Sequence, residues 1–148
     1  MIQPHMFASG GYDHQIHLWD LSPTRSSPSS SAIQLSPTSK PLSMKHLSAV
    51  QSLLPLRDSS HKLISGGADC VLNAYDLPSE RIFNTLKTSN SIYNVHDVAS
   101  PYCVLLEVAH RDLQFEVRDY RAVPERPVMR FGYECQQVAG KFVRGKFR

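Results

Sequence analysis

Apolar and polar residues alternate in three places along the chain. Ile16 and Leu18 alternate with His17 and Trp19, Leu72 and Ala74 with Asn73 and Tyr75, and Phe115 and Val117 with Glu116 and Arg118. A period of two sends each set to one face of a sheet, so each stretch predicts a β-strand. Shorter apolar runs precede them: Phe7-Ala8, Leu63-Ile64 and Val104-Leu105-Leu106. Between run and strand lie Gly10-Gly11 and Gly66-Gly67, which ease the backbone into a tight turn. Val50 and Leu53 predict a further strand ahead of the second pair, and Ile92 and Val95 one ahead of the third. Ile82 to Leu86 and Val128 to Tyr133 predict outer strands, which makes units of four antiparallel strands.

The units repeat. SGGYDHQIHLWDL (Ser9–Leu21) and SGGADCVLNAYDL (Ser65–Leu77) align without a gap and share Ser-Gly-Gly, the turn aspartate and the closing Asp-Leu. VAHRDLQFEVRDY (Val108–Tyr120) is a looser third copy. The turn aspartates Asp13, Asp69 and Asp112 lie 56 and 43 residues apart. The second spacing matches a period of about 40–45 residues. The excess in the first falls in SPTRSSPSSSAIQLSPTSKP (Ser22–Pro41), with eight serines and four prolines. Such a stretch lacks the apolar surface to order itself and is expected to be a disordered insertion.

On these residues, and with Trp19-Asp20 as the eponymous dipeptide and Tyr75-Asp76 and Arg118-Asp119 as degraded forms, the chain resembles the WD40-repeat β-propeller family. The resemblance covers nearly all of the chain. It implies an all-β propeller fragment of four-stranded antiparallel blades in a ring that is not closed. On this division 1–21 are the second half of a repeat, 22–41 the insertion, 42–87 a repeat, 88–133 a degenerate repeat and 134–148 the start of another. It also implies a hydrogen-bonded set inside each blade. His46, Ser65, Asp69 and Tyr75 form the second set, Ser9, Asp13 and Trp19 the first, and only Asp112 survives in the third, where Val108 and Arg118 replace Ser and Trp.

The function implied by the resemblance is a scaffold for protein–protein interaction. Turns clustered at one end of a stiff scaffold present the contacts, so Tyr12, His14 and Arg111 are the candidate partner-binding residues. The alternative is a substrate receptor of a cullin-type ubiquitin ligase, in which Arg121 of the degenerate Asp119-x-Arg121 motif touches the adaptor. Unpaired strand edges and apolar faces at the open ends lead to an expectation of self-association.

Composition narrows the classes further. In 148 residues, 41% are apolar and the net charge is +3, without the concentrated basic patch that nucleic acid requires. Cys70, Cys103 and Cys135 are scattered and form no Cys-x-x-Cys, so thiols reduced in the cytoplasm or nucleus are expected, with no zinc site. MIQPHMFASGG lacks a basic and an apolar stretch, so it is not expected to act as a signal peptide, and the sequence has no apolar run of membrane-spanning length. GKFVRGKF (Gly140–Phe147) matches a phosphate-binding pattern only formally, because Phe147 stands where Ser or Thr is needed. No Ser/His/Asp, Cys/His or paired-carboxylate arrangement is marked out by spacing, and no enzyme activity, cofactor or metal is expected. Ser22, Ser27 and Ser36 each precede proline and are candidates for phosphorylation.

Overall fold

The computed structural model describes residues 5–22, 37–56, 61–121 and 126–133. Among these residues every regular element is a strand, arranged in three antiparallel sheets with no closed barrel. Sheet 1 is β1 (Met6–Gly10), β2 (Gln15–Asp20) and β3 (Thr38–Lys45). Sheet 2 runs in chain order through β4 (Val50–Pro55), β5 (Lys62–Gly67), β6 (Val71–Asp76) and β7 (Arg81–Lys87). Sheet 3 does the same with β8 (Ile92–Asp97), β9 (Cys103–Val108), β10 (Phe115–Asp119) and β11 (Met129–Phe131).

The sheets stack through two separate apolar layers. Ala8, Ile16, Leu18 and Leu42 of sheet 1 pack against Val50, Leu53, Leu63 and Tyr75 of sheet 2. Ile64, Leu72, Ala74 and Leu86 leave the other face of sheet 2 for Ile92, Val95, Val104, Leu106 and Val108 of sheet 3. The alternation in β6 therefore sorts side chains between two junctions, and the central strands of sheet 2 are buried on both sides. Glycines set the approach at the innermost strands. A Cβ on Gly66 would come within 2.6 Å of Ile92 Cγ2, and one on Gly10 within 2.8 Å of Val50 Cγ1. Hydrogen bonds cross the same seams, from Val50 N–H to Gly11 O at 3.0 Å and from Val95 N–H to Ser52 Oγ at 3.0 Å.

Three expectations change. First, strand β3 begins at Thr38, inside the segment expected to be disordered, and pairs with β2 through His17↔Pro41 and Asp20↔Thr38. By pairing, residues 38–45 belong with sheet 1, so neither the insertion's end at 41 nor the second unit's start at 42 holds. The physical reason is that β2 offers a free edge whose backbone groups need partners, and Pro41, lacking an N–H, is tolerated on an outermost strand. Residues 23–36, with Ser27 and Ser36, lie outside the described residues, as do 134–148 with Cys135 and the Gly140–Phe147 run.

Second, the third unit is out of step with an ungapped alignment. Leu63↔Tyr75 in sheet 2 corresponds to Val104↔Arg118 in sheet 3, so β9 is offset by 41 residues from β5 while β10 is offset by 43 from β6. The connecting turn is two residues longer, and Leu106, rather than Val108, stands where Ser65 stands. Third, Glu116 and Arg118 are buried in the layer against sheet 2, whereas Phe115 and Val117 face away and stay half-buried. The alternation predicted the strand and not which set would be inside.

Candidate functional site

Sheet 2 carries an internal polar set. His46, in the β3–β4 connection, has both ring nitrogens engaged. Its Nδ1–H donates to the Asp69 carboxylate at 3.0 and 3.1 Å, and its Nε2 lies 2.8 Å from Ser65 Oγ. Carboxylate oxygens accept, so Nδ1 is the donor to Asp69, and in the neutral ring Nε2 then accepts from the Ser65 hydroxyl. Asp69 also accepts the Leu47 N–H at 2.7 Å and the Val71 N–H at 3.3 Å, which ties the β3–β4 connection to the β5–β6 turn. Asn73, which the sequence did not single out, extends the set. Its amide nitrogen is 3.4 Å from His46 Nε2, and its Oδ1 accepts from Thr85 Oγ1 at 2.8 Å. Tyr75 occupies the position expected to close the set and packs in the apolar layer against sheet 1.

Ser65, His46 and Asp69 thus stand in the order of a hydrolase triad, an arrangement that spacing alone did not mark out. Ser65 is fully buried between sheets, with no approach for a substrate carbonyl to its hydroxyl. The arrangement here is a strut.

The equivalents in the other sheets are incomplete. In sheet 1, Trp19 Nε1–H donates to Ser9 Oγ at 2.8 Å. Asp13 is half-exposed, bonded to the Gln15 N–H at 3.3 Å and 3.7 Å from His17 Nε2. In sheet 3 the longer turn is organised by His110, whose Nδ1 accepts the Asp112 and Leu113 N–H groups at 3.1 and 3.0 Å. The Asp112 carboxylate points to solvent, 54% exposed and 3.8 Å from Arg111 Nε, so its expected structural role does not hold. The two extra residues lift it off the seam. In place of the set, Arg118 Nε and Nη2 bind Glu116 Oε2 at 2.9 and 2.7 Å.

The turns at one end of the stack are held rigidly. Ala68 N–H donates to Ala49 O, Thr88 N–H to Cys70 O, Ala109 N–H to Ser91 O and Ser91 Oγ to Ala68 O, all at 2.8–2.9 Å. His14 and Cys70 take the same left-handed conformation, each with φ of 63°, so the first two turns are copies of one another. On this frame Tyr12 is 90% exposed, Leu47 88%, and the Arg111 side chain 79%, while His14 is exposed beside them. Leu47 was not anticipated. The available signal was an apolar residue immediately after the buried His46 in a short connection.

Arg121 lies at the opposite end, apart from Tyr12, His14 and Arg111. It is folded onto its own strand, with Nε and Nη2 bound to Asp119 at 3.1 and 2.9 Å and its guanidinium 3.3 Å from the centre of the Tyr102 ring. Asp20, Asp76 and Asp119, the last residues of β2, β6 and β10, share this end. Each has its carboxyl held below the ordinary value of 3.8, chiefly by a side-chain hydrogen bond from Ser22, Ser79 and Arg121 respectively. A folded-state value below the unfolded one means stability that is complete above pH 3.8 and lost as the pH falls through the depressed values. Thermal unfolding between pH 7 and pH 2 is expected to show this acid limb. The triple variant Asp20→Asn/Asp76→Asn/Asp119→Asn should flatten it; an unchanged limb would assign the loss to other carboxyls.

Taken together, these features define an all-β protein of three stacked antiparallel sheets with a stiff, turn-bearing end. No family model matches the chain, and no curated protein matches it. No helix among the described residues is long and apolar enough to cross a membrane.

Proposed function

We propose that the chain is a WD40-type propeller segment serving as a scaffold for protein–protein interaction, with the turn end of the stack as its binding surface. The observation that carries this reading is the exposure of Tyr12, Leu47 and Arg111 on connections that are themselves cross-linked by backbone hydrogen bonds. Large side chains on a rigid support lose little conformational freedom on binding, which is what makes Tyr and Arg frequent anchors. The repeated Gly-x-Asp turns, the buried His46–Asp69–Ser65 set and the stacking of successive sheets support the propeller type.

The test is affinity capture with the intact chain beside Tyr12→Ala, Leu47→Ala and Arg121→Ala variants, followed by binding measurements on the captured protein. Loss of one central anchor is expected to weaken binding by at least about tenfold, roughly 1–2 kcal/mol. Arg121→Ala, at the far end, should leave binding unchanged. If Arg121→Ala alone abolished capture, the adaptor-binding reading would replace this one.

A further inference from the structure

Between strand β3 of sheet 1 and the β6–β7 hairpin of sheet 2 lies a cleft of about 360 Å³. Small-molecule sites occupy about 300–1,000 Å³, so the space is sufficient for a small ligand. Lys40 and Glu80, both in its lining, form an ion pair, and Ser43 Oγ donates to the Glu80 carbonyl at 3.4 Å. These contacts tie the two sheets together along the cleft. Leu42 and Tyr75, both members of the apolar layer between the sheets, supply its wall.

Two polar groups of the lining are left without partners. Tyr75 stands where Trp19 stands in sheet 1, the pairs being Leu63↔Tyr75 and Phe7↔Trp19. Trp19 gives its N–H to Ser9, whereas Ser65, the counterpart of Ser9, is bound to His46. The Tyr75 hydroxyl has no hydrogen-bond partner among the described residues, although the residue is only 1% exposed. Among those residues no wholly buried side-chain oxygen or nitrogen lacks a partner, so this hydroxyl is not enclosed and opens into the cleft that Tyr75 lines. Such a group is costly to cover unless water or a ligand meets it. The second group is the Lys45 ammonium, which forms no ion pair among the described residues. With Lys40 and Glu80 neutralising each other, the lining carries one positive charge in excess.

We infer that this cleft binds a small monocarboxylate with an apolar body. A single excess charge suits a monoanion better than a phosphate dianion. The Tyr75 hydroxyl and the Lys45 ammonium are donors in need of an acceptor, and an ionised carboxylate only accepts. The apolar body has Leu42 to cover it. A free acid and the C-terminus of a peptide share this chemistry. The site does not rest on the turn end proposed as the partner-binding surface.

The test is a heteronuclear NMR titration of the isotope-labelled 148-residue chain with hexanoate and with acetyl-leucine, each beside its amide. Saturable shifts of the Gln15 and Lys45 backbone amides are expected with at least one acid, at a dissociation constant of about 1 mM or below. Binding of hexanoate assigns the site to a free acid, and binding of acetyl-leucine alone assigns it to a chain terminus. The matching amide, which lacks the charge, should bind at least about tenfold more weakly. Tyr75→Phe removes only the hydroxyl and keeps the ring in its layer; it should weaken binding about tenfold, as should Lys45→Gln. Leu47→Ala, at the turn end, should leave binding unchanged, so failure of partner capture and failure of this site are read separately. Circular dichroism checks that each variant folds. The inference is overturned if neither acid gives saturable shifts, or if the amide binds as tightly as its acid. It is equally overturned if the folded Tyr75→Phe and Lys45→Gln variants bind undiminished, or if Leu47→Ala loses as much as they do.

Discussion

Glu116→Ala is expected to lower the stability of the protein by about 3–5 kcal/mol, the largest effect of any single change considered. Its carboxylate joins two guanidiniums: Arg118 at 2.7 and 2.9 Å through Oε2, and Arg130 Nη2 at 2.8 Å through Oε1. The Glu116 and Arg118 side chains are each 2% exposed. Without the carboxylate, Arg118 is a buried charge with its principal counter-ion gone, in the layer that joins sheets 2 and 3. Arg130 is one-third exposed, so Arg130→Ala should cost about 1 kcal/mol or less, solvent replacing much of what is lost. The paired change Glu116→Leu/Arg118→Met should cost much less than Glu116→Ala, because the one charge left without Glu116, on Arg130, is one-third exposed and the volume is kept. Urea unfolding of the three variants beside the wild type measures this. A double variant that loses as much as Glu116→Ala, or a loss of less than about 1 kcal/mol for Glu116→Ala, would show that the triad is not desolvated in the way its burial implies.

Asp69→Ala is expected to cost about 3 kcal/mol. One carboxylate accepts from His46 Nδ1–H, Leu47 N–H and Val71 N–H, and the His46 side chain is fully buried. Deleting it strands a ring N–H inside the protein and frees the connection between β3 and β4 from the β5–β6 turn. That connection presents Leu47, so the same variant should weaken partner capture even though Asp69 itself is largely covered. Asp112→Ala, the nominal equivalent, should change stability by no more than about 0.5 kcal/mol, because its carboxylate is solvated. Chemical denaturation of the two variants side by side is the measurement. Equal costs would mean that the buried set contributes nothing beyond an exposed turn residue.

The difference between these aspartates shows where reading the chain stops being sufficient. Asp13, Asp69 and Asp112 recur in like positions of three similar segments, and only in sheet 2 does the carboxylate meet a buried histidine. For Asp112 the distinction depends on two extra residues in the β9–β10 turn, which an ungapped match cannot register. Strand β3 escaped notice for a related reason. Thr38–Lys45 carries a proline and little apolar alternation, and it is a strand because β2 has an edge to be paired.

Local physics determined much of the rest. Period-two alternation, short apolar runs, glycine-eased turns and the recurrence of Ser-Gly-Gly-x-Asp were enough to place every strand but β3 among the described residues, and to join His46, Ser65 and Asp69 as one group through the family resemblance. Only the tertiary structure decided which alternate set faces inward. Glu116 and Arg118 go inside and Phe115 and Val117 do not, because register pairs them with Leu106 and Val104 of β9, the residues that face sheet 2. It also decided that Arg121 and the Tyr12 end lie on opposite sides of the stack. Strand direction reverses at every turn, so the β1–β2 turn that bears Tyr12 and the residues that follow β10 fall at opposite ends, a property of the assembled sheets and of no single segment.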